Sequence, residues 1–176
     1  MKIASVTVQH DPAQDRIALV ARDSRAEQVL LLTRRLTFSL LAALGKLIAQ
    51  SQGDSRLAQA GLQGELLSMK HAHALSQIRQ SQAGQPSPVA ALQRLPSRLL
   101  TKIDINSDAN GHLLSFSDPD GQIASLGLDA RQLHWFVSRL ASNSQAAGWG
   151  QAIPAPDWLT GAAEPGADQA KNYSVH

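Results

Sequence analysis

The chain has 176 residues, 43% of them hydrophobic, so it is long enough to bury a core without disulfides or structural metals. It contains no cysteine, which excludes disulfides, thiolate metal sites and cysteine nucleophiles. The net charge is +2, yet residues 1–102 carry +7 and residues 103–176 carry −5. This imbalance fits an anionic partner or attraction between the halves, although charges scattered over solvated faces explain it more simply.

The sequence pattern of residues 1–50 predicts three strands followed by a helix. Alternating or continuous apolar segments at 4–8, 16–20 and 29–32 are separated by turn sequences that begin at Asp11 and Asp23. The helix opens at Thr33 and is apolar over much of its circumference. Such a helix is expected to pack between a sheet and a second partner.

Residues 51–97 predict a helical insert and a linker. Apolar residues recur near helical spacing from 54 to 82, a Pro/Ser/Gln-rich linker follows at 83–88, and a short helical turn fits 89–95. His71 and His73 stand two residues apart, so they diverge on a helix and are poorly spaced to share a metal ion. We expect both to face solvent.

Residues 98–143 repeat the order of the first copy. Strands at 100–105, 113–116 and 123–128 are joined at Asn110-Gly111 and Asp120-Gly121, and a helix opens at Asp129. Aligning Leu32 with Leu128 makes Thr33 and Asp129 equivalent N-caps. The same alignment superposes two apolar triplets, Leu40, Leu41 and Leu44 on Phe136, Val137 and Leu140.

The sequence therefore predicts an α+β fold with two βββα repeats, whose antiparallel sheets pack on helices and are joined by the insert. Residues 104–111 imitate the start of a calcium loop but lack the required Gly or the required Glu in either register, and a hairpin is the better interpretation.

Residues 144–176 form a Gly/Pro-rich tail. Trp149, Trp158 and Leu159 are large apolar residues that a mobile tail does not need. Two interpretations stay open: they fold back onto the parent domain, or they dock into a groove on a partner.

No nucleotide-binding loop, zinc-protease helix or nucleophile elbow occurs. We therefore expect neither catalysis nor a cofactor or metal. No signal-type or membrane-spanning apolar run occurs either, which favours a cytoplasmic protein without membrane contact.

Four arginines in or beside the first predicted sheet offer a surface for phosphate groups: Arg16, Arg22, Arg34 and Arg35. Aromatic residues make up only 4% of the chain, and none lies in the first three strands. The first sheet therefore has no platform on which bases could stack.

The duplicated order of three strands and a helix resembles the repeats of Pur-alpha and Whirly-type proteins, most clearly between Ile105 and Leu140. This resemblance implies a twisted sheet bent around its helices and binding of single-stranded nucleic acid. A second likeness is to the head domain of the non-homologous end-joining scaffold superfamily, which implies dimerisation.

From the residues themselves, we expect a non-catalytic adaptor or assembly component. Exposed sheet edges and the apolar first helix would supply protein–protein contacts, with self-association or a protein partner as the outcome. Binding of single-stranded nucleic acid is the alternative.

Overall fold

The structure is a computed structural model that describes residues 1–52, 63–82, 92–108 and 111–149. The first repeat contains β1, Lys2–Ile3; β2, Ser5–Asp11; β3, Arg16–Arg22; β4, Glu27–Leu32; and α1, Arg34–Gln52. Between the repeats lie α2, Gln63–Gln82, and a 3₁₀ turn, Leu92–Arg94. The second repeat contains β5, Ser97–Leu99; β6, Lys102–Asp108; β7, Gly111–Asp118; β8, Gly121–Leu128; and α3, Ala130–Ala146.

The predicted α+β class with two repeats is confirmed. Strands β2, β3 and β4 pair antiparallel in sequence order, and so do β6, β7 and β8. Each sheet also gains a short fourth strand that runs parallel to its neighbour, which makes both sheets mixed. The orders are β5-β4-β3-β2 and β1-β8-β7-β6.

The fourth strands are exchanged between the repeats. β1 is the first strand of the first repeat but pairs with β8, and β5 is the first strand of the second repeat but pairs with β4. A single strand over residues 100–105 was therefore a wrong prediction, because the chain leaves the first sheet after Leu99 and enters the second at Lys102. Leu100 lies between the two strands and is buried.

Pairing registers show which residues of the two repeats are equivalent. Val8 pairs with Leu19 and Leu19 with Leu30, all three buried. In the second sheet the same row is Ile105, Leu114 and Leu126.

The main core lies between the two sheets and helices α1 and α3. The predicted apolar triplets are both buried there, with Leu44, Phe136, Val137 and Leu140 at 0% exposure. Both predicted N-caps are present. Thr33 Oγ1 accepts from the Leu36 amide at 3.2 Å, and Asp129 forms a capping box with Gln132.

The outer faces of the two sheets differ in polarity. The outer face of the first sheet carries Ala18, Val20, Val29 and Leu31, which are buried beneath Leu92 and Leu95. The matching face of the second sheet carries mainly serine, glycine and charged residues, together with the exposed Leu113, as the alternation in β6, β7 and β8 shows. The chain thus covers one outer face with its own segment 92–95.

The insert is described only in part. A helix is present at Gln63–Gln82, and the predicted turn at 89–95 appears as the 3₁₀ segment. The residues outside the described parts are 53–62, the predicted linker at 83–88 with residues 89–91 of the predicted turn, Ala109, Asn110 and 150–176. Among the helices that the structure describes, none is long and apolar enough to cross a membrane.

Leu44→Ala and Leu140→Ala should each lower the free energy of unfolding by about 2 to 5 kcal/mol, because both side chains are fully buried in the shared core. Met69→Ala is the control, since Met69 is 71% exposed. Urea denaturation of the three variants gives the comparison. A core variant as stable as the control would contradict the assigned packing.

Candidate functional site

The two sheets end in edge strands at equivalent places, β2 in the first and β6 in the second. Edge strands present unpaired backbone N–H and C=O groups, which can bind another strand. The first edge is covered. Helix α3 packs alongside β2, and Asn143 Nδ2 donates a hydrogen bond to the Val8 carbonyl at 3.3 Å.

The residue of α1 at the equivalent position cannot make this contact. Leu47 on α1 occupies the position equivalent to Asn143 when Leu32 is aligned with Leu128, and its hydrocarbon side chain has no hydrogen to donate. Within the described parts of the chain, β6 pairs only with β7, and no helix packs along it as extensively as α3 packs along β2. We call the side of Lys102–Asp108 that is directed away from β7 the β6 edge.

The backbone groups that face this edge follow from the equivalence of the repeats. The Val8 carbonyl is directed away from β3, since it accepts from Asn143. Successive residues of an antiparallel strand alternate between facing their partner and facing away. Val8 is equivalent to Ile105, so the peptide groups of Ile103, Ile105 and Ser107 face the β6 edge.

The side chains of β6 divide between its two faces. Ile103 and Ile105 are half-buried against the main core. Lys102, Asp104, Asn106 and Asp108 lie on the outer face, where Lys102 Nζ contacts Asp104 Oδ2 at 2.8 Å. The β6 edge is therefore apolar on one side and carries both signs of charge on the other.

An open cleft of about 390 Å³ adjoins the distal half of this strand. Asn106, Ser107 and Asp108 line one wall, and Leu113 and Gly127 lie in the same depression. Leu113 is 43% exposed, and a Cβ added at Gly127 would meet nothing within 4 Å. This part of the outer face is thus accessible beside the β6 edge.

Trp149 lies in the core instead of in an open tail, with 2% of its surface exposed. Helix α3 ends in a Schellman motif in which Gly148 adopts a φ of 75° and the Trp149 amide donates to the Ser144 carbonyl at 3.0 Å. This turn directs Trp149 back onto the first repeat. There its Nε1 donates to Asp15 Oδ1 at 2.9 Å, and its ring packs edge-on against Phe38.

Of the two interpretations of Trp149, the structure supports the one in which it folds back onto its own domain. The sequence signal was available, since a Gly one residue before a large apolar residue is typical of this helix ending. Trp158 and Leu159 lie outside the described residues, and their docking role stays a prediction.

The four predicted phosphate-binding arginines do not form one surface. Arg16 and Arg22 stand at opposite ends of β3, about 20 Å apart. Arg16 Nη1 is enclosed by protein, and Arg22 Nη2 binds Glu27 Oε1 at 2.6 Å. Arg34 and Arg35 are exposed at the start of α1, with the Arg34 guanidinium 5.8 Å from the Trp149 ring centre.

The prediction that His71 faces solvent was wrong. His71 is 1% exposed, and its Nδ1 lies 2.9 Å from Nδ1 of His134, which is 2% exposed. A hydrogen bond at this distance requires one ring to donate and the other to accept. His71 follows Leu67 by one helical turn and so lies on the face of α2 that packs on α3. His73 faces solvent as predicted.

Both buried histidines are held neutral. Desolvation lowers the pKa of His71 to about 4, and the neighbouring His134 adds to this effect. Desolvation also lowers the pKa of His134 to about 4, with a further contribution from the Lys70 ammonium. The pair therefore joins α2 to α3 in the neutral form only.

Among the described residues, no group of three or more His, Asp or Glu side chains is arranged to hold a metal ion. Comparison of the chain with protein-family models, curated proteins and solved structures finds no match.

Acidification should weaken the fold through the histidine pair. Unfolded imidazoles bind protons below about pH 6.5, while the folded ones resist protonation down to about 4. Stability should therefore fall by a few kcal/mol as the pH drops through this window. The double variant His71→Leu with His134→Leu should show a flatter dependence, measured by urea denaturation at several pH values.

The exposed His73 provides the control for this experiment. His73→Gln should keep the wild-type pH dependence, because this side chain is in solvent. Equal slopes for the double variant and the wild type would show that the pair does not determine the acid sensitivity.

Proposed function

We propose that this chain is a non-catalytic assembly component that acts through protein–protein contacts, with the β6 edge as its contact surface. The observation that carries the proposal is the difference between two equivalent edges. Asn143 caps Val8 in the first sheet, while the residue of α1 that aligns with Asn143 is Leu47, which has no hydrogen to donate. An incoming strand could therefore bond to β6 but not to β2.

The charges and apolar residues of β6 support the same function. Main-chain hydrogen bonds supply affinity when a strand is added to a sheet, and alternate side chains supply specificity. Ile103 and Ile105 offer apolar surface on one side, and Lys102, Asp104 and Asp108 offer charges on the other.

Ser107→Pro tests the proposal, because proline removes the N–H that faces the β6 edge. A proline is tolerated at an edge position whose N–H does not serve its own sheet. The variant should lose association with the proteins, or further copies, that copurify with the wild type, while its thermal unfolding changes little. Pull-down, light scattering and thermal unfolding give these three measurements.

Ser107→Ala is the matched control. It removes the contact of Ser107 Oγ with His112 Nδ1, at 2.9 Å, but keeps the backbone N–H. Association should therefore persist in this variant. Full association of the proline variant would exclude the β6 edge as the contact surface.

A second candidate function is binding of single-stranded nucleic acid, as the likeness to Pur-alpha and Whirly-type repeats implies. The observation in its favour is the exposed pair Arg34 and Arg35. It has less support than the edge, because Phe116 is the only Phe, Tyr or Trp in the described strands and is fully buried. A stacking platform on the sheets is therefore absent from the described residues.

Titration with a labelled single-stranded oligonucleotide at two salt concentrations tests this candidate. A binder should lose affinity steeply with salt, and Arg34→Glu with Arg35→Glu should lower the salt slope by about two. Arg22→Gln is the control, since Arg22 is already paired with Glu27. No binding near physiological salt would reject the candidate.

A further inference from the structure

Resting on the proposed function, we propose that the β6 edge binds a second copy of this chain. The two β6 strands pair antiparallel about a two-fold axis that passes midway between the two Ile105 residues. The pairing joins the second sheets of two molecules into one continuous eight-stranded sheet with the order β1-β8-β7-β6-β6-β7-β8-β1.

Backbone geometry restricts the register of such a pair. In a symmetric antiparallel pair, residues whose N–H and C=O face the edge must lie opposite one another, so the two-fold axis falls at a residue position and not between two neighbouring positions. On β6 those residues are Ile103, Ile105 and Ser107. A centre at Ile105 overlaps all seven residues of each strand, a centre at Asp104 or Asn106 overlaps five, and a centre at Ile103 or Ser107 overlaps three. Both five-residue registers also place like charges opposite each other, Asp104 against Asp104 or Asp104 against Asp108.

Side-chain chemistry selects the same register. With Ile105 at the centre, Lys102 lies opposite Asp108 of the second copy on the outer face, and this pair occurs twice. Asp104 then lies opposite Asn106, so no like charges face each other. The two Ile105 side chains meet on the core face, where each is half-buried in the single chain.

Charged residues on an edge strand usually prevent pairing with other strands. On β6 the charges are self-complementary in one full-length register. They therefore disfavour pairing in other registers and with other edge strands, but not pairing with a second β6 in this register. Opposite charges on directly paired residues stabilise a sheet, and like charges destabilise it.

Exchange of the charges provides the first test. Lys102→Glu places Glu opposite Asp108, and Asp108→Lys places Lys opposite Lys102, so each variant alone should associate about tenfold more weakly than the wild type. Mixing the two variants restores both opposite-charge pairs. Sedimentation velocity should therefore show weak self-association of each variant and recovery of the dimer in the equimolar mixture.

Cysteine pairing provides a second test that does not depend on the carboxylate of Asp108, which accepts from the Gly111 amide at 3.1 Å. The chain has no cysteine, so introduced thiols are the only ones present. In the proposed register residue 104 lies opposite residue 106 as a non-hydrogen-bonded pair, about 4.5 Å apart between Cα atoms, within disulfide range. A mixture of Asp104→Cys and Asn106→Cys should crosslink faster than either variant alone.

Two results would overturn the self-pairing. One is a mixture of charge variants that associates no better than its components while the wild type dimerises. The other is a wild type that stays monomeric while Ser107→Pro, but not Ser107→Ala, releases a different protein. That second result leaves the proposed function intact, but it shows that a different protein, and not a second copy of this chain, binds the β6 edge. If Ser107→Pro releases nothing, the proposed function itself is wrong.

Discussion

The exchange of the short strands β1 and β5 is the constraint on which the rest of the structure depends. Each sheet is completed by a strand that belongs to the opposite repeat, so neither repeat can form its full set of hydrogen bonds alone. Ile3 and Leu100 stand two residues before the first long strand of their repeats, and both are buried in the shared core. The two repeats therefore fold as one cooperative unit, although their sequences read as two separate ones.

The same exchange gives the molecule a pseudo-two-fold arrangement of its strands and helices, but the residues on its surfaces are not related by this symmetry. Val20 and Val29 on the outer face of the first sheet are matched by Ser115 and Ser125 on the second. Valines there require a cover, which Leu92 and Leu95 supply, and serines do not. The sheet edges differ in the same way, since the first repeat is covered at its edge as well as on its outer face. Among the described residues, the second repeat therefore has the more open edge and outer face.

Much of the fold could be predicted from the sequence because local chemistry determines it. Turn residues, the caps at Thr33 and Asp129, and the helical spacing of Leu40, Leu41 and Leu44 each predict an element without reference to the rest of the chain. The short strands were missed because two or three residues carry no periodicity, and only long-range pairing makes them strands. His71 was misplaced for a related reason. His71 follows Leu67 by four residues, and this spacing indicates the same, buried face of the helix. An imidazole can be buried there only because His134, on another helix, supplies a hydrogen-bond partner.

The sequence could predict that the candidate site is a sheet edge, but not which edge it is. Exposed edges follow from any open sheet, yet the choice between β2 and β6 depends on a contact between residues 135 positions apart, Asn143 and Val8. One side-chain amide satisfies the carbonyl of the first edge, and a leucine at the matching position leaves the second edge without that donor. A duplicated fold starts with two equal edges, and both can polymerise the protein into open chains. In the proposed self-pairing, closing one edge leaves a single symmetric contact through the other, so the loss of symmetry within the chain would allow symmetry between chains.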